Sequence, residues 1–378
     1  MPVVKRFFEK KVKKCNLIVV FRSNWIKMAT LSVCMIAKNE AKVIGRCLDC
    51  VKSFADEIVV VDTGSSDKTK EIASRYTDKV YDFEWINDFA AARNFSFSKA
   101  TKDYVMWLDC DDVIDEANQM AIRNFKGSLP TFDCDAFMAH YCYAPGRSIT
   151  VTRIIKRGSC QWEGFVHEYL ASKSNRIPLD FTITHRKPSS SYVRDNGRNL
   201  KIFKLKLKEK VQFKTRDILY YAKELYWNGH YSTALRWFDK FFKQKDAWVE
   251  DCIDAARMKG DILEKAGRLD EEVEFLSQSI VKYGMNKGLL YKCGLSLYNA
   301  KKYSEAAMYF LALVNGLGVT SMYFTDNEDY IFQSLVWLSC CYWYSGEKLT
   351  GKRFHEIAKA MRPNSTTIIN NEKFFGKV

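Results

Sequence analysis

The sequence lacks a hydrophobic run long enough to cross a membrane. The apolar run near the N-terminus, residues 16–21, is six residues long, whereas a bilayer-spanning helix needs about 20. Arg22 and Lys27 follow it where a secretory signal would have a small-residue cleavage site. We therefore expect neither a transmembrane helix nor a cleaved signal peptide.

The sequence also lacks an evenly spread excess of positive charge. Of the net charge of +14, residues 1–30 carry +7 and residues 194–217 carry +6, which leaves +1 for the rest of the chain. Non-specific nucleic-acid binding favours a basic surface over much of a protein, so it is disfavoured here. Residues 1–29 are predicted to form a basic N-terminal extension, which could contact an anionic membrane surface.

A disulfide framework is absent as well. The twelve cysteines stand singly inside apolar patterns, as Cys34 and Cys293 do, with no secretory signal ahead of them. Such cysteines are typical of buried free thiols in a reducing compartment. We therefore expect a cytoplasmic protein, with peripheral contact at the inner membrane face as an option. Cys110 is expected to fill space and not to act as a nucleophile.

The chain is long enough for two domains, because 378 residues, 47% of them hydrophobic, exceed what one ordinary core holds. From Leu31 to Leu108, short β-type runs alternate with helix-length amphipathic stretches. This alternation predicts a parallel sheet with crossover helices, and residues 30–193 are predicted to form an α/β domain. The predicted strands are 31–36, 57–61, 79–82 and 104–108, and the predicted helices are 40–52, 68–77 and 88–100.

After about residue 195 only helical patterns remain. Ala266 and Ala300 lie 34 positions apart, the tetratricopeptide period. Residues 218–378 therefore resemble degenerate tetratricopeptide-like (TPR-like) helix pairs, with an irregular helical bundle as the alternative. Residues 194–217 are predicted to form a basic linker helix, either solvated or lying on an anionic lipid surface. Segments with similar turn residues recur at 225–234, 263–273, 297–306 and 341–348.

Polar clusters follow three of the predicted strands, at residues 37–40, 62–67 and 109–112. The carboxyl ends of parallel strands meet at one edge of a sheet, where ligands bind. Asp109 and Asp111 are alternate residues and therefore point to the same side. Such hard oxygen ligands suit Mg²⁺ or Mn²⁺ shared with substrate phosphates. Asp112 or Asp115 is expected to cap the helix that begins near Glu116.

Four segments resemble, in order and spacing, family 2 glycosyltransferases of the GT-A fold. They are residues 31–40, 60–69, 87–94 and 107–112, and the resemblance covers about residues 30–190. It implies a Rossmann-like nucleotide-diphospho-sugar transferase domain. It further implies a metal-dependent, inverting transfer of a hexose from a nucleotide-sugar, with a UDP-sugar as the expected donor. Nothing in the sequence names the sugar.

The resemblance also implies roles for residues around the donor. Asp62 would hydrogen-bond the base of the nucleotide-sugar, with the backbone of Ala37 and the side chain of Glu40 beside it. Asp109 would face the ribose or the sugar and lie in the metal site. Asp111 would hold the Mn²⁺ or Mg²⁺ that bridges the diphosphate.

Further residues are implied on the acceptor side. Arg93 would neutralise phosphate or contact the sugar, unless it is a surface arginine. Residues 162–168 resemble a stretch of the same family near the acceptor, where a base must remove the acceptor proton. Glu168 is the first choice for that base and His167 the second. His185 ends another predicted strand, 179–185, and could complete the metal site, with a structural histidine as the alternative.

The pairing of this domain with TPR-like helices is similar to peptide S-glycosyltransferases of the sublancin type. That similarity implies a peptide acceptor, for which the concave surface of the helix pairs would be suited. The alternatives left open are a lipid-linked or cell-envelope glycan, modified nucleic acid, and an inactive transferase domain on a helical scaffold. The helical domain could also mediate self-association into a homo-oligomer.

Overall fold

A computed structural model describes residues 28–128, 134–144, 146–171, 175–186, 197–319 and 330–376. Almost all of the predicted N-terminal extension and the first residues of the predicted basic linker lie outside these ranges. Within them, the predicted GT-A-type α/β domain followed by a purely helical domain is confirmed.

The α/β domain is built around one large sheet. Its eight strands lie in the order β3-β2-β1-β4-β7-β6-β10-β5, and β8 pairs with β9 in a separate small sheet. The strands are β1 Leu31–Ala37, β2 Glu57–Asp62, β3 Val80–Asp82, β4 Tyr104–Trp107, β5 Asp112–Val113, β6 Ala136–Ala144, β7 Arg147–Lys156, β8 Gln161–Glu163, β9 Tyr169–Ala171 and β10 Arg176–His185. The strand expected at 179–185 is thus the second half of β10.

The sheet is mixed, which corrects the expectation of a parallel sheet. β1 pairs in parallel with β2 and β4, and β2 pairs in parallel with β3. β7 is antiparallel to both β4 and β6, because only a tight connection separates β6 from β7. β5 is likewise antiparallel to β10. The sequence alternation therefore predicts the first half of the sheet and not the second.

Helices cover the parallel half of the sheet on both faces, as a fully buried strand requires. Leu31 and Val33 of β1 share a buried cluster with Ile44 of the first helix, whereas Cys34, pointing the other way, shares a cluster with Ala90 of the third. The strand ends of β1, β2 and β4 are therefore left open at one edge. The helices of this domain are α1 Ile44–Val51, α2 Thr69–Ala73, α3 Phe89–Ser98 and α4 Glu116–Ser128.

The helical domain is a stack of antiparallel helix pairs. Each recurring sequence segment spans the turn inside one pair, and Ala266 and Ala300 are the C-caps of two corresponding helices. The first helix of each pair also packs on the first helix of the next, which is the arrangement of a helical repeat and not of an irregular bundle. The pairs are α6 Thr215–Trp227 with α7 Tyr231–Phe241, α8 Val249–Lys265 with α9 Leu269–Tyr283, α10 Lys287–Asn299 with α11 Tyr303–Val314, and α12 Tyr330–Tyr344 with α13 Lys348–Met361; α14 Thr366–Phe375 follows.

In the described part of the predicted linker, helix α5 spans Arg198–Lys208, and α6 begins at Thr215. Its lysines at 201, 204 and 208 are exposed, as the spacing predicts. Leu200 and Phe203 are buried, however, in a core that also contains Phe165 and Val166 of the α/β domain and residues of α6. α5 is therefore a packed element between the two domains and not a solvated linker.

The eleven cysteines in the described part of the chain are all free thiols, most of them buried. Burial raises the pKa of Cys110 well above its ordinary value, which agrees with a space-filling role. Among the described residues, no helix combines the length and the apolar character that a membrane crossing requires.

Candidate functional site

A cavity of about 370 Å³ lies at the open strand ends of the α/β domain. Every residue predicted for the site contributes to its lining except Asp62. The predicted residues that line it are Ala37, Glu40, Arg93, Asp109, Asp111, His167, Glu168 and His185. The convergence expected from the polar clusters is therefore present in three dimensions. Arg198 and Asn199 of α5 also line the cavity, so the helical part of the chain closes one side of it.

Arg93 is a buried residue that binds two carboxylates, and not a surface arginine. Its Nε donates to Glu168 Oε1 at 2.7 Å, and its Nη2 donates to Asp109 Oδ1 at 2.9 Å. Its guanidinium lies against the rings of Trp107 and Trp162, at 4.8 and 4.9 Å from their centroids. Helix α3 presents Arg93 to both carboxylates at once, so its positive charge is directed at them.

Arg93 also controls the ionisation of Asp109. Burial raises the pKa of this carboxyl group, but the opposing charges of Arg93 and Arg153 outweigh burial and hold the pKa below its ordinary value. Asp109 is therefore an anion at neutral pH. Its backbone N–H also donates to Asp112 Oδ2 at 3.1 Å.

Asp111, Asp112 and His185 form a second, distinct cluster whose ligand atoms all lie within 4.8 Å of one another. His185 Nδ1 is 3.2 Å from Asp111 Oδ1 and 3.8 Å from Asp112 Oδ1. Interaction with the carboxylates of Asp111 and Asp112 favours the protonated imidazole and raises the pKa of His185 to about 10. Asp112 Oδ1 is buried and has no hydrogen-bond partner among the described residues. Carboxylate oxygens beside an imidazole fit Mn²⁺ or Mg²⁺.

The cluster differs from the predicted metal set in one member. The resemblance places Asp109 beside the metal, but in the structure Asp109 contacts Arg93. The third residue near Asp111 and His185 is Asp112, which was expected as a helix cap. Asp112 Oδ2 accepts from Nη1 of the buried Arg153 at 3.1 Å. Asp115 caps α4, because its Oδ1 accepts from the backbone N–H of Asn118 at 2.9 Å.

Asp62 lies at the end of β2, just behind the cavity. Its Oδ1 accepts from the backbone N–H groups of Gly64 and Ser65 at 2.9 and 2.8 Å, which shapes the turn after the strand. Its Oδ2 is buried and has no hydrogen-bond partner in the described part of the chain. Gly64 adopts φ 98°, a conformation that glycine reaches without steric cost. Asp62 thus holds the turn after β2 with one carboxylate oxygen, and its other oxygen can accept a hydrogen bond from a ligand.

Ala37 and Glu40 form the adjoining wall after β1. The Ala37 carbonyl accepts from the backbone N–H and the hydroxyl of Thr63, at 2.9 and 3.1 Å. The Glu40 backbone N–H donates to Thr69 Oγ1 at 2.8 Å. Asp67 stabilises the start of α2 by accepting from the backbone N–H of Thr69 at 3.0 Å, as a capping residue would.

Glu168 and His167 lie in the turn between β8 and β9. Glu168 is directed to Arg93, whereas His167 points to the helical domain, where its Nε2 is 2.8 Å from Glu224 Oε1. No spacing in the sequence indicates Glu224, because it lies 57 positions away on another domain. Arg153 could have been noticed, since an arginine beside Ile154 and Ile155 in an apolar strand needs a buried partner.

A second cavity, of about 710 Å³, meets the first at Arg93, Asp109, His167 and Glu168. Its other walls come from β4, from β6 to β10 and from the helical domain, and aromatic and aliphatic side chains form most of them. They include Trp107, Ile149, Val151, Trp162, Leu170 and Trp248. Glu168 therefore stands between a polar cavity that contains the acidic cluster and a more apolar cavity that extends toward the helices.

The sequence matches one protein family and several known proteins. Residues 32–127 match glycosyl transferase family 2. Glycosyltransferase SunS of Bacillus phage SPbeta is 29% identical over 43% of this chain and 40% of SunS. A TPR repeat-containing protein of Synechococcus elongatus is 45% identical over 22% of this chain and 21% of its own length. The chain thus spans between about a fifth and two-fifths of the curated relatives it matches.

Two solved structures align with the chain at low similarity. S. aureus TarS 1–349 in complex with UDP-GlcNAc aligns with a TM-score of 0.38 at 17% identity, over 76% of this chain and 92% of TarS. YrrB, a TPR protein with an unusual peptide-binding site, aligns with a TM-score of 0.37 at 15% identity, over 47% of this chain and 83% of YrrB. Residues 32–127 of the N-terminal domain thus match glycosyl transferase family 2, and the chain is similar to a glycosyltransferase over 43% of its length.

Proposed function

We propose that the chain transfers a hexose from a nucleotide-sugar, with a UDP-sugar as the expected donor, to an acceptor with inversion of configuration. One observation carries the proposal: Glu168 stands where the two cavities meet, and the acidic cluster lies in the smaller one. A donor in the polar cavity and an acceptor in the apolar one would meet at this carboxylate. The family match over residues 32–127 supports this proposal.

Asp111 and His185, with Asp112 behind them, would hold a Mn²⁺ or Mg²⁺ ion in the donor cavity. When bound, such an ion supplies positive charge for the leaving diphosphate. Asp109 is proposed to face the ribose or the sugar, since its second oxygen is not held by Arg93. Asp62 and Glu40, with the backbone of Ala37, would contact the nucleoside.

Glu168 is proposed as the general base. Arg93 fixes one carboxylate oxygen at 2.7 Å, and the other is left to accept the proton of the acceptor as it attacks the anomeric carbon. A single attack from the face opposite the leaving group inverts that carbon. His167 is the less suitable base, because its Nε2 is occupied by Glu224.

The acceptor is proposed to be a peptide. The larger cavity has many aromatic and aliphatic wall residues that suit peptide side chains, and it extends to Trp248, just before the second helix pair. A lipid-linked glycan is the competing acceptor, and it would also bring the exposed lysines of α5 to an anionic membrane surface. A cytoplasmic location, which the free cysteines favour, forms part of this proposal.

The experiment is a binding and hydrolysis screen of UDP-glucose, UDP-N-acetylglucosamine, UDP-galactose and GDP-mannose, with and without Mn²⁺. We expect metal-dependent binding of at least one donor and its slow hydrolysis without acceptor. Asp111→Asn should abolish both while leaving the circular-dichroism spectrum and the unfolding midpoint close to those of the unchanged protein. Normal turnover by this variant would contradict the mechanism, and the absence of binding for every donor would favour an inactive transferase scaffold.

A further inference from the structure

The turn that carries Glu168, residues 164–168, has an unusual backbone. Gly164 and His167 both have positive φ values, of 89° and 53°. Glycine adopts such values freely, but a residue with a Cβ atom does so rarely, and the surrounding structure must then hold it in place. The direction in which Glu168 leaves the turn depends on this conformation of His167.

One face of helix α6 supplies the contacts that hold His167. Arg216, Tyr220 and Glu224 are spaced by four residues and therefore lie on the same side of the helix. The imidazole stacks on the Tyr220 ring at 4.3 Å with an angle of 25° between the planes. Arg216 lies at 3.4 Å from the His167 carbonyl oxygen. Glu224 Oε1 lies at 2.8 Å from His167 Nε2.

Glu224 is itself firmly placed. Its side chain is 8% exposed, and its two oxygens also accept from amide groups of Asn199 and Asn228, at 3.2 and 3.4 Å. A carboxylate held from three sides has little freedom to move. It is therefore a fixed point on the helical domain to which the turn of the catalytic domain is attached.

We propose that Glu224 is a positioning residue for glycosyl transfer. It anchors the imidazole of His167, and through the backbone of this residue it sets the carboxylate of Glu168 against Arg93. The inference rests on the proposed role of Glu168. It makes the first helix of the helical domain a part of the catalytic unit, and not only a surface for partners.

The kinetic test compares Glu224→Ala and Glu224→Gln in donor hydrolysis with Mn²⁺, using the nucleotide-sugar that the screen identifies. Glu224→Ala should lower kcat by about 100-fold, since a small displacement of a catalytic group costs that much, with the KM for the donor and the affinity for UDP unchanged. Glu224→Gln keeps an acceptor for the imidazole N–H and should lose less than about tenfold. A normal kcat in Glu224→Ala, or a parallel loss of UDP affinity, would overturn the inference.

The matched control is Glu272→Ala. Glu272 is also a fully buried carboxylate of the helical domain, hydrogen-bonded to Ser296, but it lies on α9 and touches neither cavity. Its loss should lower stability and leave kcat unchanged. An equal loss of kcat in both variants would show that Glu224 acts only through general stability, against the inference.

Hydrogen exchange supplies a test that needs no donor. The backbone amides of residues 164–169 should exchange faster in Glu224→Ala than in the unchanged protein or in Glu272→Ala, because the turn has lost its anchor. Unchanged exchange would refute the positioning role even if no nucleotide-sugar were hydrolysed. Lack of hydrolysis by the unchanged protein, with faster exchange in the variant, would instead count against the proposed function alone.

A last variant separates positioning by His167 from proton transfer by it. Glutamine carries an amide donor at about the distance of the imidazole Nε2 and can donate to Glu224, but it cannot accept a proton at neutral pH. His167→Gln should therefore keep most of kcat if the imidazole is an anchor. A loss as large as that of Glu168→Gln would make His167 the base and would refute the inference.

Discussion

Arg93→Met tests whether one arginine holds the candidate site together. Methionine roughly preserves the volume that Arg93 fills against the rings of Trp107 and Trp162, but it removes the cation shared by Asp109 and Glu168. Removing one partner of a buried ion pair costs about 3–5 kcal/mol. The two cation–π contacts add about 0.5–1 kcal/mol each, part of which sulfur–aromatic contacts restore. Because the Asp109 side chain is 35% exposed, water compensates in part, and we expect a loss of about 3 kcal/mol at pH 7.

The loss should depend on pH with a definite sign. In the unchanged protein the pKa of Asp109 is held below its ordinary value, so ionised Asp109 stabilises the fold above that ordinary value, and this contribution is lost as the pH falls through the lowered one. Without Arg93, burial acts with less opposition and raises the pKa of Asp109. The deficit of the variant should therefore be largest at neutral pH. It should shrink as the pH falls from the raised pKa in the variant, past the ordinary value of about 4, to the lowered pKa in the unchanged protein.

Urea unfolding followed by tryptophan fluorescence at pH 7, 5.5 and 4.5 measures this difference. Arg75→Met is the matched control, because Arg75 pairs with Glu71 on the surface, where an exposed ion pair contributes less than about 1 kcal/mol. Adding Asp109→Asn to Arg93→Met should recover part of the loss at pH 7. A deficit as small as that of the control, or one that is the same at all three pH values, would refute the reasoning.

Three further changes test other parts of the molecule. Glu57→Gln should destabilise the fold at pH 7 by up to about 3 kcal/mol, because hydrogen bonds from Lys79, Ser32 and Thr101 outweigh the effect of burial and lower the pKa of Glu57 to about 2. The loss of stability should become smaller as the pH falls from about 4.5 to 2. Stability curves of the two proteins that run parallel over this range would contradict the prediction. Gly294→Ala should cost about 1–3 kcal/mol, because the added Cβ would lie 2.9 Å from the Phe310 ring, whereas Gly127→Ala, with open space around it, should be neutral or slightly stabilising in thermal unfolding. His185→Gln should weaken Mn²⁺ binding in calorimetric titration. In the unchanged protein, Mn²⁺ binding at pH 7 should release about one proton, because His185 is protonated below about pH 10 and must lose that proton to act as a ligand. An identical titration of the variant would show that His185 is not a metal ligand.

The first half of the fold was predictable because its signals are local. The strands β1, β2 and β4 are apolar runs that end at polar clusters, and the helix pairs carry recurrent turn residues, so both follow from periodicity. The antiparallel β7 was not predictable, because which strands pair depends on contacts between distant segments. The sequence predicts a solvated basic helix at α5 for a similar reason. Its lysines can be recognised in the sequence, whereas the residues that pack on Leu200 and Phe203 cannot.

The candidate site, like the fold, has one part that the sequence predicts and another that it does not. The sequence alone predicts which side chains gather at the sheet edge, since parallel strands bring their carboxyl ends together whatever the rest of the chain does. How these side chains pair is visible only in three dimensions: Arg93 with Asp109 and Glu168, Asp112 with Arg153 and the His185 cluster, and His167 with Glu224. Each pairing depends on the directions of two side chains from segments that are distant in sequence, and a sequence pattern records spacing along the chain but not direction in space.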